Sequence, residues 1–144
     1  MRYWDTSALL KLYVTESDST RFRAHASITG PVLTSDIARW ELFVVLHRKE
    51  AAGNTTKGTA QAFYSQFEMD ILAGRVVVLT ADAKALPGFQ GLVRNLFQQQ
   101  PPVFIRTLDA LHLAAAQAGL ATEFVTTDQK QARAAAAFGL ALFT

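Results

Sequence analysis

Asp5, Glu41, Asp109 and Asp128 are the residues in this chain best suited to do chemistry, and each adjoins an apolar segment expected to be buried. An unpaired carboxylate in such a place costs several kcal/mol or shifts its pKa, so a cation is needed to hold it. One divalent ion would make all four tolerable at once. Carboxylate oxygens are hard ligands that suit Mg²⁺ or Mn²⁺, whereas a zinc site would want histidine or cysteine. The chain has no cysteine, and His25, His47 and His112 show no zinc-like spacing. A Mg²⁺ or Mn²⁺ ion lowers the pKa of a bound water, orients it and stabilises charge on a phosphate. Hydrolysis by a metal-activated water is therefore the expected chemistry, with Asp5 or Asp109 orienting the water.

The elements that must position these residues alternate between strand and helix. RYW reads as a short strand running into Asp5, and ALLKLYV as a helix capped by Thr6 or Ser7. A second helix starts at Ser17 or Ser19 and runs to about Ile28, before Gly30-Pro31 breaks the chain. VLTS is a strand, followed by a helix from Ile37 to about Ala52 capped by Ser35 or Asp36, and another from Thr56 to Leu72. Arg75 to Thr80 is a continuous β-branched run, as expected of a strand covered on both faces. Residues 82–106 hold Pro87-Gly88 and Pro101-Pro102 around a helical GLVRNLF and are the least legible part. A helix from Leu108 to about Ala118 capped by Thr107, a strand EFVTT, a helix from Gln129 to Phe138 and a short strand LALF complete the chain. Strands separated by helices imply crossovers and a mainly parallel sheet between helix layers. Sites in such sheets form at the carboxyl ends of strands, where Asp5 and Asp128 fall.

Each acidic residue also has a structural reading. Asp5 could cap a helix or shape a turn, and Asp128 could cap the helix that follows it. Asp109, in the first turn of its helix, is favoured there by the helix dipole, and His112 on the same side could contact it. Glu41 shares a helix face with Ile37, Val44 and Val45 rather than with Leu42 and Leu46, and could pair with Arg48 two turns on. Thr126 and Thr127 could donate hydrogen bonds to a carboxylate or a metal-bound water.

At 144 residues the chain is expected to form one domain, residues 1–144, with a substantial core. Half of it is apolar and 18% charged, which fits a compact globular chain and argues against disorder. The absence of cysteine excludes disulfides and suits a reducing cytoplasm. No apolar run approaches a membrane span, and the first residues do not read as a signal peptide, so a cytoplasmic protein without membrane contact is expected. Neutralising four of the 12 acidic residues leaves eight against 14 basic ones, net +6. A basic body around an acidic, metal-filled notch suits a polyanion whose phosphate must reach a metal. Lys11, Arg39, Arg106 and Lys130, near the acidic positions, are the expected phosphate contacts. Tyr3, Trp4, Tyr13 and Trp40 could stack on bases but are expected in the core.

The joint order DTSALL from Asp5, WE ending at Glu41, RTLDALHLA around Asp109 and TTD ending at Asp128 resembles the PIN-domain family, and most closely its VapC-type toxins. The resemblance spans nearly the whole chain, and the block around Asp109 is its most specific part. It implies a three-layer α/β/α sandwich and a metal-dependent endoribonuclease, with the four carboxylates gathered at one edge of the sheet around Mg²⁺ or Mn²⁺. It also implies that Thr6, Ser7 and Thr127 support that shell by hydrogen bonds. Toxins of this type usually bind a small antitoxin and often form homodimers, and the apolar run of Leu9, Leu10, Leu12, Tyr13 and Val14 could offer the antitoxin a groove. Two other readings are a PIN-like RNA-processing nuclease without an antitoxin and a non-catalytic RNA- or protein-binding module. The absence of a Gly-rich phosphate loop argues against nucleotide binding by that route.

Overall fold

The computed structural model describes residues 1–80 and 86–144. Five short strands, β1 (Arg2–Trp4), β2 (Val32–Ser35), β3 (Val76–Leu79), β4 (Glu123–Val125) and β5 (Ala141–Phe143), form one sheet in the order β3-β2-β1-β4-β5. Every pairing is parallel. Two helices, α1 (Thr6–Tyr13) and α2 (Ser19–Ile28), carry the chain from β1 to β2. Next, α3 (Asp36–Ala51) and α4 (Thr59–Leu72) carry it to β3. The return to the centre runs through α5 (Leu86–Gln98) and α6 (Thr107–Ala118), and α7 (Gln129–Ala137) joins β4 to β5.

Successive strand residues point to opposite faces, and this alternation builds two cores. Trp4 and Val125 face one helix layer, packing with Leu9, Phe22, Leu42 and Phe67. Tyr3, Leu33 and Phe124, which lie side by side in register, face the other with Leu92, Leu96, Leu113 and Ala134. The result is the expected three-layer α/β/α sandwich, with α1–α4 on one face and α5–α7 on the other. Gly119 ends α6 so close to the sheet that a Cβ there would lie 2.6 Å from Leu79 Cδ1 and 2.8 Å from Leu33 Cδ2. Only glycine lets α6, the helix bearing Asp109 and His112, settle this closely.

Several expectations shift. Asp5, not Thr6 or Ser7, caps α1, accepting from the Ala8 amide at 2.9 Å. Ser35 stands at the N-cap of α3 but makes no side-chain cap there, because its hydroxyl is held by Tyr3. The helix expected from Thr56 begins at Thr59. β3 is not covered on both faces: it is an edge strand, and only Val76 is buried while Val77 is 44% exposed. The GLVRNLF helix starts earlier, at Leu86, and takes in Pro87, whose missing N–H is harmless in a first turn. The start of the illegible 82–106 stretch, residues 82–85, lies outside the described residues.

Candidate active site

Strand order reverses at β1: the chain builds outward through β2 and β3, then resumes on the other side with β4 and β5. Such a reversal leaves a crevice at the carboxyl ends of the strands, because neighbouring connections leave in opposite directions. Asp5 follows β1 there, and Thr126, Thr127 and Asp128 follow β4, with the Asp5 amide donating to Val125 O at 3.1 Å.

Asp5 is 3% exposed and almost fully engaged. Its Oδ1 accepts from Ser7 Oγ at 2.8 Å and from the Ala8 amide at 2.9 Å. Its Oδ2 accepts from Thr126 Oγ1 at 2.6 Å. Burial pushes its carboxyl above the usual range, against the opposing pull of Thr126, Ala8, His112 and Ser7. The Ser7 hydroxyl also accepts from the Thr127 amide at 2.8 Å, which ties the end of β4 to α1. The hydroxyl that supports Asp5 from this loop is thus that of buried Thr126, while Thr127 contributes its backbone.

Glu41 projects from α3 toward the same point, on the face shared with Ile37, Val44 and Val45. It does not reach for Arg48. Its Oε2 accepts from Thr6 Oγ1 and lies 2.8 Å from His112 Nε2. Burial would raise its carboxyl, but the hydrogen bonds from His112 and Thr6 outweigh burial and hold it below the usual range. His112 is 2% exposed, and its Nδ1 lies 2.8 Å from Tyr3 Oη, which lies 2.7 Å from Ser35 Oγ. A buried polar line therefore runs from β2 through β1 and α6 to the carboxylate on α3. The spacing suggested an Asp109–His112 contact; the histidine serves Glu41 instead.

Asp109 and Asp128 complete the acidic lining. Asp109 is half-buried and accepts no hydrogen bond from the described residues. Burial first, and then the charge of Asp128, raise its carboxyl above the usual range. Asp128 is exposed rather than buried and caps α7, its Oδ1 accepting from the Lys130 amide at 2.7 Å and the Gln131 amide at 3.1 Å.

All four carboxylates line one open cleft of about 650 Å³, together with Thr6, Ser7 and His112. Among the described residues no three acidic or histidine side chains converge closely enough to enclose an ion. The donor set nevertheless fits a hard divalent cation: every candidate atom is a carboxylate oxygen, and the Asp109 carboxylate accepts no hydrogen bond from the described residues.

The expected basic contacts divide. Arg106 and Lys130 stand with Asp109 around a second, adjoining pocket. Lys11 does not face the cleft; it is held by Glu16 at 2.6 Å and Asp18 at 2.7 Å. Arg39 lies on the outer side of α3, 3.2 Å from Glu68. Tyr3, Trp4 and Tyr13 are core, but Trp40 is 64% exposed and lines the cleft. Of the apolar run of α1, Leu9, Leu10, Tyr13 and Val14 are buried, while Leu12 and Tyr13 also line a separate cavity of about 500 Å³. Sequence reasoning missed the load on His112 and Tyr3, whose partners lie more than 70 residues away for Glu41 and more than 100 for Tyr3 and His112. It also missed Arg133, which the helical spacing from Lys130 could have suggested.

Comparison with known proteins agrees with this architecture. The family model described as PIN domain matches residues 2–137. Ribonuclease VapC47 of Mycobacterium tuberculosis is 33% identical, over 90% of this chain and 86% of its own length. Among solved structures, FitAcB from Neisseria gonorrhoeae superposes with a TM-score of 0.72 at 20% identity, covering 100% of this chain and 97% of that one. The Mycobacterium tuberculosis toxin VapC20, described as cleaving the sarcin-ricin loop, gives 0.66 at 19%, covering 93% and 95%. VapBC2 from Rickettsia felis, solved bound to a DNA fragment from its promoter, gives 0.65 at 20%, covering 99% and 98%. These structural likenesses are of fold. No helix among the described residues is long and apolar enough to cross a membrane.

Proposed function

From the premise that this chain belongs to the PIN domain family, we propose that it is a metal-dependent endoribonuclease, the toxin of a toxin–antitoxin pair. The observation that carries the reading is the convergence of Asp5, Glu41, Asp109 and Asp128, from four separate stretches of sequence, on one cleft at the strand ends. These carboxylates would hold Mg²⁺ or Mn²⁺, directly or through water. The ion, when bound, acidifies water and stabilises charge on the phosphate being cleaved.

The protein's own groups divide the remaining work. Asp109 is the better candidate to orient the attacking water, since it accepts no hydrogen bond from the described residues. Asp5, with both oxygens engaged, acts as a fixed ligand. His112 and Thr6 hold Glu41 ionised and in one orientation. Arg106 and Lys130 lie where the RNA backbone would enter.

An antitoxin segment covering the cleft would bury Trp40 and Val44 of α3 and Leu108 of α6, which are 64%, 51% and 49% exposed. The same reading carries a homodimer, which light scattering of the purified chain tests.

Cleavage of a mixed RNA pool by the native chain and by Asp109→Asn, with Mn²⁺, Mg²⁺ or chelator, tests the proposal. The expected result is cutting that chelator abolishes and the substitution removes. Absence of cutting together with absence of Mn²⁺ binding by the native chain overturns it.

A further inference from the structure

Asp109 is shared by two cavities. One is the acidic cleft; the other, about 490 Å³, opens on its far side between the 101–106 segment and α7. Its wall carries Arg106, Lys130 and Arg133, the last two three residues apart and so on one side of α7. Five cations elsewhere, Arg2, Lys11, Arg39, Lys49 and Arg75, each meet a carboxylate. Among the described residues none of these three forms an ion pair, although Arg106 feels the Asp109 charge. Three unpaired cations around one concavity repel one another and attract an anion from outside.

Charge is only half of the pocket. Phe104 lines it with 79% of its surface exposed. The ring leans on Phe97 at a centroid distance of 6.0 Å and a 49° tilt, so it is braced. A braced, exposed aromatic next to cations offers a base a stacking platform and its flanking phosphates their counter-charges. An acidic peptide would use the cations but has no need of the ring. The volume lies within the range that encloses a small-molecule-sized ligand.

We propose that this second pocket is a nucleotide subsite: the base next to the cleaved bond stacks on Phe104, and Arg106, Lys130 and Arg133 hold its phosphates, so that the strand crosses Asp109 into the acidic cleft. The choice of RNA as the strand rests on the ribonuclease reading.

The test is equilibrium binding of a fluorescein-labelled single-stranded RNA hexanucleotide in Mg²⁺, in an Asp5→Asn background that leaves this pocket intact. Phe104→Ala is expected to weaken binding roughly 5- to 150-fold, the span of one lost base stack, and Phe104→Trp to restore it. Arg133→Gln is expected to weaken binding and to reduce the salt slope by about 0.7, one phosphate contact on a single strand. Arg39→Gln, the same charge change on α3, leaves the slope unchanged. Phe104 and Arg133 are exposed, so neither substitution threatens folding, and circular dichroism checks this. Native-like binding by both Phe104→Ala and Arg133→Gln overturns the subsite. So does competition by polyglutamate of equal charge that matches RNA and ignores Phe104. The two readings separate cleanly. If the native chain cuts RNA and neither substitution matters, only the subsite falls. If it cuts none while both weaken binding, only the nuclease reading falls.

Discussion

The hydroxyl of Tyr3 lies 2.8 Å from Nδ1 of His112, and through that ring a residue of the first strand fixes a carboxylate on the third helix. Tyr3→Phe keeps the packing on Phe124 but leaves the Ser35 hydroxyl and a ring nitrogen of His112 without their partner. A loss of about 1–3 kcal/mol is expected in urea denaturation, the usual cost of stranding a buried polar group. His112→Ala is expected to cut RNA turnover more severely, because Glu41 loses the group that orients it, with binding of uncleaved RNA little changed.

Two adjacent threonines should differ sharply. Thr126 is buried, donates to Asp5 and accepts from the Asp128 amide at 2.9 Å, whereas Thr127 is exposed. Thr126→Val preserves shape and removes both bonds, so about 1–3 kcal/mol of stability and most RNA cleavage are expected to go. Thr127→Val is expected to stay within about 0.5 kcal/mol of the native chain, since the amide that binds Ser7 remains. Thermal melts of the pair decide it.

Removing an acid from the cleft should stabilise the metal-free protein. Burial and the Asp128 charge raise Asp109, so its ionised form is disfavoured on folding, and Asp109→Asn relieves that repulsion. In chelator the variant is expected to melt about 1–4 °C higher, a modest gain because the group is only half-buried. Mn²⁺ at 100 times its dissociation constant is expected to stabilise the native chain by about 2.7 kcal/mol and the variant by much less. A native melting temperature indifferent to Mn²⁺ contradicts the assignment of these four ligands.

Acid sensitivity should have an identifiable source away from the site in Glu16, alongside the lowered carboxyls of Asp18 and Glu50. Burial pushes the Glu16 carboxyl up, but Lys11 at 2.6 Å and Lys49 at 2.5 Å outweigh it and hold the group below its ordinary 4.5. A carboxyl lowered in the folded state adds stability above its unfolded pKa. That contribution disappears as pH falls through the lower folded value. Glu16→Gln is therefore expected to cost at most about 1 kcal/mol at pH 7 and to flatten the loss of stability below about pH 4.5. Urea midpoints across that range measure both.

Much of this molecule was legible because local chemistry and tertiary packing agree. RYW, VLTS and EFV became strands because β-branched and aromatic runs bounded by capping or turn residues fit a covered sheet, and helical periodicity placed Glu41 on the correct face of α3. Legibility failed where the answer depended on residues distant in sequence. Nothing local reveals that β3 lies at an edge, that Trp40 is left outside while Trp4 goes in, or that Lys11 is consumed by Glu16 and Asp18. The cap of α1 misled for another reason: aspartate, threonine and serine in succession are all good caps, and Asp5 serves as cap and site residue together.

The central position of β1 also sets an order of events during synthesis. Tyr3 faces Leu33 on one side but must wait for Phe124 on the other, and so long a loop is slow to close. A chain still emerging from the ribosome holds Asp5 and Glu41 but neither the Asp109 helix nor the Asp128 turn, with one edge of its first strand unpaired. The cleft cannot exist until the Asp109 helix and the Asp128 turn have been made and β4 has paired with β1, so the four carboxylates cannot act together in a partly made chain.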